Sequence, residues 1–420
     1  AGDRLAVVTV EQKHKIEPKV PVFQIPTHVR FRIGDADHDV AIDITEPRHV
    51  FHLRLDAEPS QAIFDPGRVV LAGLKVDKPE PVWIAELAGA TLAIDRATAA
   101  AALGRRGGPT AERALGDALT GDKFWAMRGA AAHALARLRT PGARDRLIKA
   151  VAAEVQPRAR RMIARALGEF VHDAAAGAAL APLIERGDPS YFVEAEAALA
   201  LGKTRTARAG ELLRLAAGRD SYVDVIRHHA YRGLAEARDD SAVGFLLEGV
   251  RWGRISQGRR GAAMALAALV KGRRDREARD VRERIELLVT DHDFRVQAAA
   301  IEALAQIGDP AAIPALRRMI ERELDGRLRR RGKEVIRDLE DGASVGEDVR
   351  RMRDELGELR TLATTLRERL DKLEAGSAPA RSTPKAAKPA KDQQGKPNGK
   401  DRRDKDRRDK EKDKDKKKKR

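Results

Sequence analysis

Apolar positions recur along this chain with two different periods, and one gives way to the other near residue 80. Before that point they alternate, in Val8/Val10, Val29/Phe31/Ile33, Val40/Ile42/Ile44, Val50 to Leu55 and Ile63–Phe64. Alternation sends successive side chains to opposite faces of a half-buried strand. Turn formers separate the runs at Gly34-Asp35, Glu46-Pro47, Glu58-Pro59 and Asp65-Pro66-Gly67, where backbone chemistry favours a change of direction. The pattern predicts a small antiparallel β-sandwich over residues 1–80, with too few strands to be complete. Because the chain opens at Ala1 and Leu5–Val10 already reads as a strand, its N-terminus is expected to be processed or cut from something longer.

After Lys78-Pro79, alanine, leucine and arginine dominate and a longer repeat takes over. An Ala-Leu or Gly-Leu pair places its leucine at Leu103, Leu135, Leu167, Leu199, Leu234, Leu266 and Leu304, with gaps of 32, 32, 32, 35, 32 and 38 residues. Four positions earlier stand Ala99, Ala131, Ile163, Ala195, Ala230, Ala262 and Ala300; seven earlier stand Arg96, Arg128, Arg160, Phe192, Arg227, Arg259 and Gln297. Those three columns share one face of a helix, where the small residue lets a neighbouring helix approach and the leucine fills the groove. A helical repeat of this length predicts stacked helix pairs, each burying its face against the next.

The columns resemble the HEAT repeat, best seen from Asp293 through Gly308-Asp309-Pro310. The resemblance covers roughly residues 90–325 and implies a mainly α fold: a HEAT-like α-solenoid over 81–340. Two readings of the arginine column stand open. It can be a basic stripe that reads phosphates, or a structural ladder whose buried stems carry guanidinium groups to an aspartate or helix end of the adjoining repeat. The ladder is preferred. Trp125 and Phe294, each ten before its leucine, are read as inter-helix packing rather than base-stacking platforms.

From Val345 the period changes again, through Val349, Met352, Leu356, Leu359, Ala363, Leu366, Leu370 and Leu373. Steps of four and three form a seam, so residues 341–375 are read as a coiled-coil or amphipathic helix. A homodimer through 345–373 and a helix folded back on the solenoid are equal alternatives.

Charge alters the picture mainly at the end. The chain has 82 Lys+Arg against 65 Asp+Glu, a formal charge of +17, yet residues 376–420 alone hold 19 Lys/Arg and 8 Asp/Glu. That stretch lacks aromatics and large aliphatics, cannot offset the entropy of ordering, and is expected to be a disordered basic tail. Binding to nucleic acid through counterion release is open, but interleaved Asp401, Asp404, Asp406 and Asp409 favour a solubilising appendage. Apolar stretches fall short of the ~18–20 residues of a membrane span, so a soluble protein is expected, with the cytoplasm preferred as its compartment. The chain contains no cysteine, which excludes disulfides, thiolate metal sites and cysteine nucleophiles.

Catalytic chemistry is hard to find. None of the ten histidines is followed by glutamate, so no His-Glu-x-x-His zinc helix exists. His49 and His52 fall on opposite faces of a strand, and His228-His229 diverge on a helix; both pairs are read as ordinary packing or surface residues. No catalytic, cofactor-binding or metal-ligating residue is assigned.

The first 80 residues carry a second resemblance. The order Val8-Thr-Val-Glu-Gln-Lys-His14, Val20-Pro-Val-Phe-Gln-Ile-Pro26 with Val29, Leu55-Asp-Ala-Glu-Pro59 and Ile63-Phe-Asp-Pro-Gly67 resembles the sandwich that follows the catalytic domain of zinc aminopeptidases of the aminopeptidase N family. That resemblance implies the non-catalytic C-terminal region of a metallopeptidase, gating peptide substrates into a zinc site supplied by upstream sequence, with zinc only in that missing domain. The alternative is an interaction scaffold holding a protein partner on the concave solenoid face.

Overall fold

The computed structural model describes residues 4–342 together with Leu356 and Leu359. Five strands open the chain: β1 (Arg4–Glu11), β2 (Ile25–Ile33), β3 (Ala36–Ile44), β4 (Arg48–Leu55) and β5 (Gln61–Phe64). They form an antiparallel β1–β4 pair and a three-stranded sheet in the order β3–β2–β5. Val29, Phe31, Ile42 and Ile44 make a buried core against which Val8, Val10, Phe51 and Leu53 pack. These are the residues of one alternating face, as the pleat requires. On the other face Arg30 sits opposite Asp39 in the β2–β3 register and donates two hydrogen bonds to it, each 2.7 Å.

A buried ion pair joins strands to helices. Lys78 Nζ lies 2.6 and 2.8 Å from the two Glu86 oxygens and 4.3 Å above the Trp83 ring. Glu86 also accepts the Ala62 N–H at 3.1 Å. Burial lowers the Lys78 pKa and raises that of Glu86, against the pull of their mutual attraction.

From Glu80 onward the chain is helical and folds in two rows. The leucine row is α2 (Ala93–Arg106), α4 (Trp125–Leu138), α6 (Pro157–Leu167), α8 (Tyr191–Thr204), α10 (Val225–Glu236), α12 (Ser256–Leu269) and α14 (Phe294–Ile307). A covering row alternates with it: α1 (Glu80–Gly89), α3 (Pro109–Gly121), α5 (Pro141–Ala153), α7 (Ala174–Glu185), α9 (Ala209–Ala217), α11 (Val243–Gly249), α13 (Arg276–Glu286) and α15 (Ile313–Arg322). A last helical stretch spans 326–342. Successive leucine-row helices make the most extensive helix contacts, while neighbours in the covering row touch less. One continuous apolar core runs through the repeats, with Leu103, Leu135, Leu167, Leu234, Leu266 and Leu304 fully buried. The structure is therefore a mainly helical HEAT-repeat solenoid preceded by a small antiparallel unit.

The close approach that the alanine column anticipates is visible at the glycines. A Cβ on Gly104 would come within 2.9 Å of Ala134 Cβ, one on Gly168 within 2.9 Å of the Ala200 Cα, and one on Gly202 within 2.1 Å of the Gly233 carbonyl oxygen. In each case the residue after one column leucine meets the residue before the next. The leucine-row helices consequently run parallel and in register.

This register corrects the fourth repeat. Leu199 is only half-buried, whereas Leu201 is 1% exposed and is followed by the close-packed Gly202. The column runs through Leu201, and Glu194, not Phe192, stands seven positions before it. Phe192 is exposed. Two Ala-Leu steps in Ala198-Leu199-Ala200-Leu201 offer the same local pattern, and only the neighbouring helix selects between them.

Of the seam proposed for 345–373, Leu356 and Leu359 are described, both helical and exposed. The rest of that seam and the tail 376–420 lie outside the described residues.

Candidate interaction surface

The arginine column is a ladder that stitches consecutive inter-helix loops together. Arg96 Nη1 donates to the Ala90 carbonyl at 2.9 Å while its Nε reaches Asp122 at 2.9 Å in the next loop. Arg128 donates to the Asp122 carbonyl at 2.8 Å and to Glu154 at 2.6 and 3.0 Å. Arg160 donates to the Glu154 carbonyl at 2.7 Å and to Asp188 at 2.8 and 2.9 Å. Asp122 and Glu154 are thus each held twice, by carbonyl and by side chain, and Asp188 by its side chain. Each carboxylate also accepts the backbone N–H two residues on, from Phe124, Gln156 and Ser190.

The later rungs vary with local sequence. At Glu194 the polarity is inverted, with Arg219 donating to Glu194 at 2.5 Å and to the Glu185 carbonyl at 2.8 Å. The loop after α11, Arg251-Trp-Gly-Arg-Ile255, contains no carboxylate, and Arg227 turns instead to Asp224 in its own repeat. Arg259 reaches Asp291 at 3.1 Å, and Gln297 reaches Glu323 at 3.0 Å. Burial works against the Glu154 carboxylate, but the Arg128 hydrogen bonds and nearby backbone N–H groups outweigh it and hold its pKa below the usual value. These guanidinium groups are engaged, so the column serves packing and not phosphate recognition.

A different set of cations faces outward from the middle of the leucine row. Arg165 on α6 makes a bidentate pair with Glu196 on α8, at 2.8 and 2.7 Å. Around that pair lie Arg161, Arg232 and Arg260, close enough that their charges act on Glu196 or on the adjoining histidines. The Nε atoms of Arg161 and Arg260 are buried without a hydrogen-bond partner. Glu196 stays below its ordinary pKa because the hydrogen bonds and charge of Arg165 overcome its burial.

The paired histidines sit beside this cluster but are structural. His228 Nδ1 is 2.9 Å from the Gln257 carbonyl, tying α10 to α12, and His229 Nδ1 is 2.9 Å from the Val225 carbonyl. Burial pushes the His228 imidazole down to about 4 and also lowers His229, so both are neutral at pH 7. Arg165 and Arg161 therefore act on Glu196, while Arg232 and Arg260 crowd the histidines beside it. In the strands His49 stacks on Phe51 with ring centroids 4.1 Å apart, while His52 faces solvent. Among the described residues no group of three or more His, Cys, Asp or Glu is placed to hold a metal ion, and no helix is long and apolar enough to cross a membrane.

Trp125 is half-buried and Phe294 exposed, and each packs against the adjoining repeat. Both lie at the edge where the leucine-row helices begin, each under a guanidinium of the following repeat: Arg158 at 5.4 Å and Arg327 at 4.4 Å from the ring centroids. Exposed apolar residues recur along that edge, among them Phe124, Val155, Tyr222 and Trp252. Sequence reasoning missed this line, although its signal was present as an apolar residue some turns upstream of every column leucine.

Comparison with known proteins identifies the class. The fold is a helical repeat array, and HEAT repeats match residues 80–161, 146–235 and 254–337. The chain belongs to the HEAT-repeat family. Solved structures it is similar to include the complex of CpcE and CpcF of phycocyanin lyase from Nostoc sp. PCC7120, at 19% identity over 65% of this chain and 98% of that one with a TM-score of 0.34. Human deoxyhypusine hydroxylase in complex with glycerol is similar at 19% identity over 62% and 96% of the two chains, with a TM-score of 0.29. No curated protein matches the chain.

The family match overturns the aminopeptidase N resemblance, and with it the metallopeptidase, hydrolase and zinc expectations: what matches is HEAT repeats. The motifs that suggested it have local explanations. In Ile63-Phe-Asp-Pro-Gly67 the buried Asp65 accepts the Thr27 hydroxyl at 3.1 Å and the Val69 and Val70 N–H groups at 3.2 and 2.9 Å. It closes a turn, as aspartate before Pro-Gly does in unrelated small β units.

Proposed function

We propose that this chain is a repeat scaffold that holds a protein partner on the solvent face of its leucine row, and that the partner presents an acidic surface there. The observation carrying the reading is the cluster of Arg161, Arg165, Arg232 and Arg260 beside Glu196 and the paired histidines His228 and His229. A stack whose rows differ in spacing bends toward the tighter one, so the leucine row corresponds to the concave face on which repeat arrays commonly bind. Arginine at an interface supplies planar, multidentate donors suited to carboxylates. Peptide substrates of an upstream peptidase have no support and are set aside.

Site-specific photocrosslinking tests the proposal in the organism's own cells. A crosslinking amino acid at Arg232 is expected to capture a discrete protein, and one at exposed Arg279 on the covering row is expected to capture none. Capture of nucleic acid at Arg232, or equal capture at both positions, would overturn the reading.

A further inference from the structure

The edge formed by the starts of the leucine-row helices carries one exposed apolar side chain in each of six consecutive repeats: Phe124, Val155, Phe192, Tyr222, Trp252 and Phe294. They stand nine to fourteen residues before their column leucines, where helices that pack side by side begin, so along the stack the step between them is the spacing of packed helices, about 8–10 Å. We propose that this edge binds an extended, acidic segment of the partner protein in a polyproline-II conformation, with an apolar residue at every third position. The inference rests on the scaffold reading and adds where along the array the partner's chain runs and in what conformation.

Two arguments select this occupant. The first is pitch. Polyproline II has three residues per turn and rises ~3.1 Å per residue, so every third side chain returns to one face after about 9 Å. That matches the repeat. A β-strand returns to one face every second residue, near ~6.7 Å, and falls out of step within two repeats. The second is charge. The edge carboxylates Asp122, Glu154, Asp188 and Asp291 are consumed by the ladder and almost fully buried, their side chains no more than 10% exposed. Exposed Asp220 and half-buried Asp325 face Arg227 and Arg327. Lys123, Arg158, Arg254 and Arg295 are exposed along the same edge, none of them within ion-pair distance of a carboxylate among the described residues, although the charge of Arg295 acts on Asp293. The intervening residues of the segment are therefore acidic. This chain's own Lys-rich tail would be repelled. Single-stranded nucleic acid fits less well, because aliphatic Val155 offers no ring and interrupts the row on which successive bases would stack.

The test uses the whole chain and three fluorescent probes: an eighteen-residue peptide of Leu-Pro-Glu repeats, a peptide of equal composition with its leucines unevenly spaced, and an oligothymidylate of equal charge. Anisotropy is expected to give at least tenfold tighter binding of the periodic peptide than of either other probe. Trp252→Ala combined with Phe124→Ala should abolish that preference; both side chains are surface-exposed, and a thermal melt checks that folding is intact. Arg232→Glu should leave the ratio between the two peptides unchanged. Equal affinity for the two peptides, stronger binding of the oligothymidylate, or a preference that survives the double variant would overturn the proposal. Discrete crosslinks at Arg232 alongside any of those results would spare the scaffold reading, and loss of the crosslinks with the peptide preference intact would do the reverse.

Discussion

Arg160 and Asp188 belong to successive repeats, yet two parallel hydrogen bonds of 2.8 and 2.9 Å lock guanidinium to carboxylate between α6 and the loop that opens α8. The carboxylate is also fixed by the Ser190 N–H at 2.8 Å. The pair is therefore preorganised from both sides, and it repeats with variations along the array. In a solenoid each unit touches only its neighbours, so nearest-neighbour links of this kind set how cooperatively the stack unfolds.

Breaking one rung should be costly. Asp188→Ala leaves a buried guanidinium unpaired, and a loss of about 3–5 kcal/mol is expected in urea unfolding. The inverted rung offers a sharper check. Glu194→Arg alone should destabilise by a similar amount, whereas Glu194→Arg combined with Arg219→Glu should recover most of the loss. Equal destabilisation by the single and double variants would show that the rung contributes through shape and not through pairing.

Gly202 and Gly244 should respond to alanine in opposite directions. A Cβ at Gly202 would lie 2.1 Å from a backbone oxygen of the next helix, while one at Gly244 in α11 meets nothing within 4 Å. Gly202→Ala is expected to cost on the order of 1–3 kcal/mol as the helices are pushed apart. Gly244→Ala is expected to stabilise by roughly 0.5–1 kcal/mol, the helical preference of alanine over glycine. Thermal melts of the two variants read both signs directly.

Acid should loosen the centre of the array through His228. Its folded pKa, about 4, lies below its ordinary value of 6.5 because the ring is buried. The unfolded chain therefore takes up the proton first as pH falls. Stability is fully present above pH ~6.5 and is lost progressively toward the folded value, with a loss of about 2 kcal/mol from this group at pH 5. His228→Gln should flatten the dependence between pH 7.5 and 5 in urea unfolding. An unchanged slope would place the acid sensitivity elsewhere.

Local pattern carried much of the fold. Alternation before residue 80 and the three columns after it both follow from the geometry of strand and helix, which fixes which side chains share a face. The ladder was partly legible too, since arginine at a buried register needs a partner somewhere. Its partners were not legible: Asp122, Glu154 and Asp188 are ordinary loop acids until the stack brings them beneath the preceding repeat's arginine. The aminopeptidase resemblance failed for a related reason. Short strand and turn motifs report local backbone needs that many proteins share.

By itself the sequence determined the change from strands to helical repeats, the small-residue face that lets helices nest, and the concentration of positive charge at the end of the chain. These depend on residue order within a few turns. Tertiary structure alone decided that the column runs through Leu201 and not Leu199, that Glu194 reverses a rung, that Arg161, Arg232 and Arg260 gather beside Glu196 and the paired histidines, and that scattered aromatics lie along one edge. Each of those depends on which residues of one helix come to lie against the next, and that is set by packing between repeats about thirty residues apart, beyond the reach of any local period.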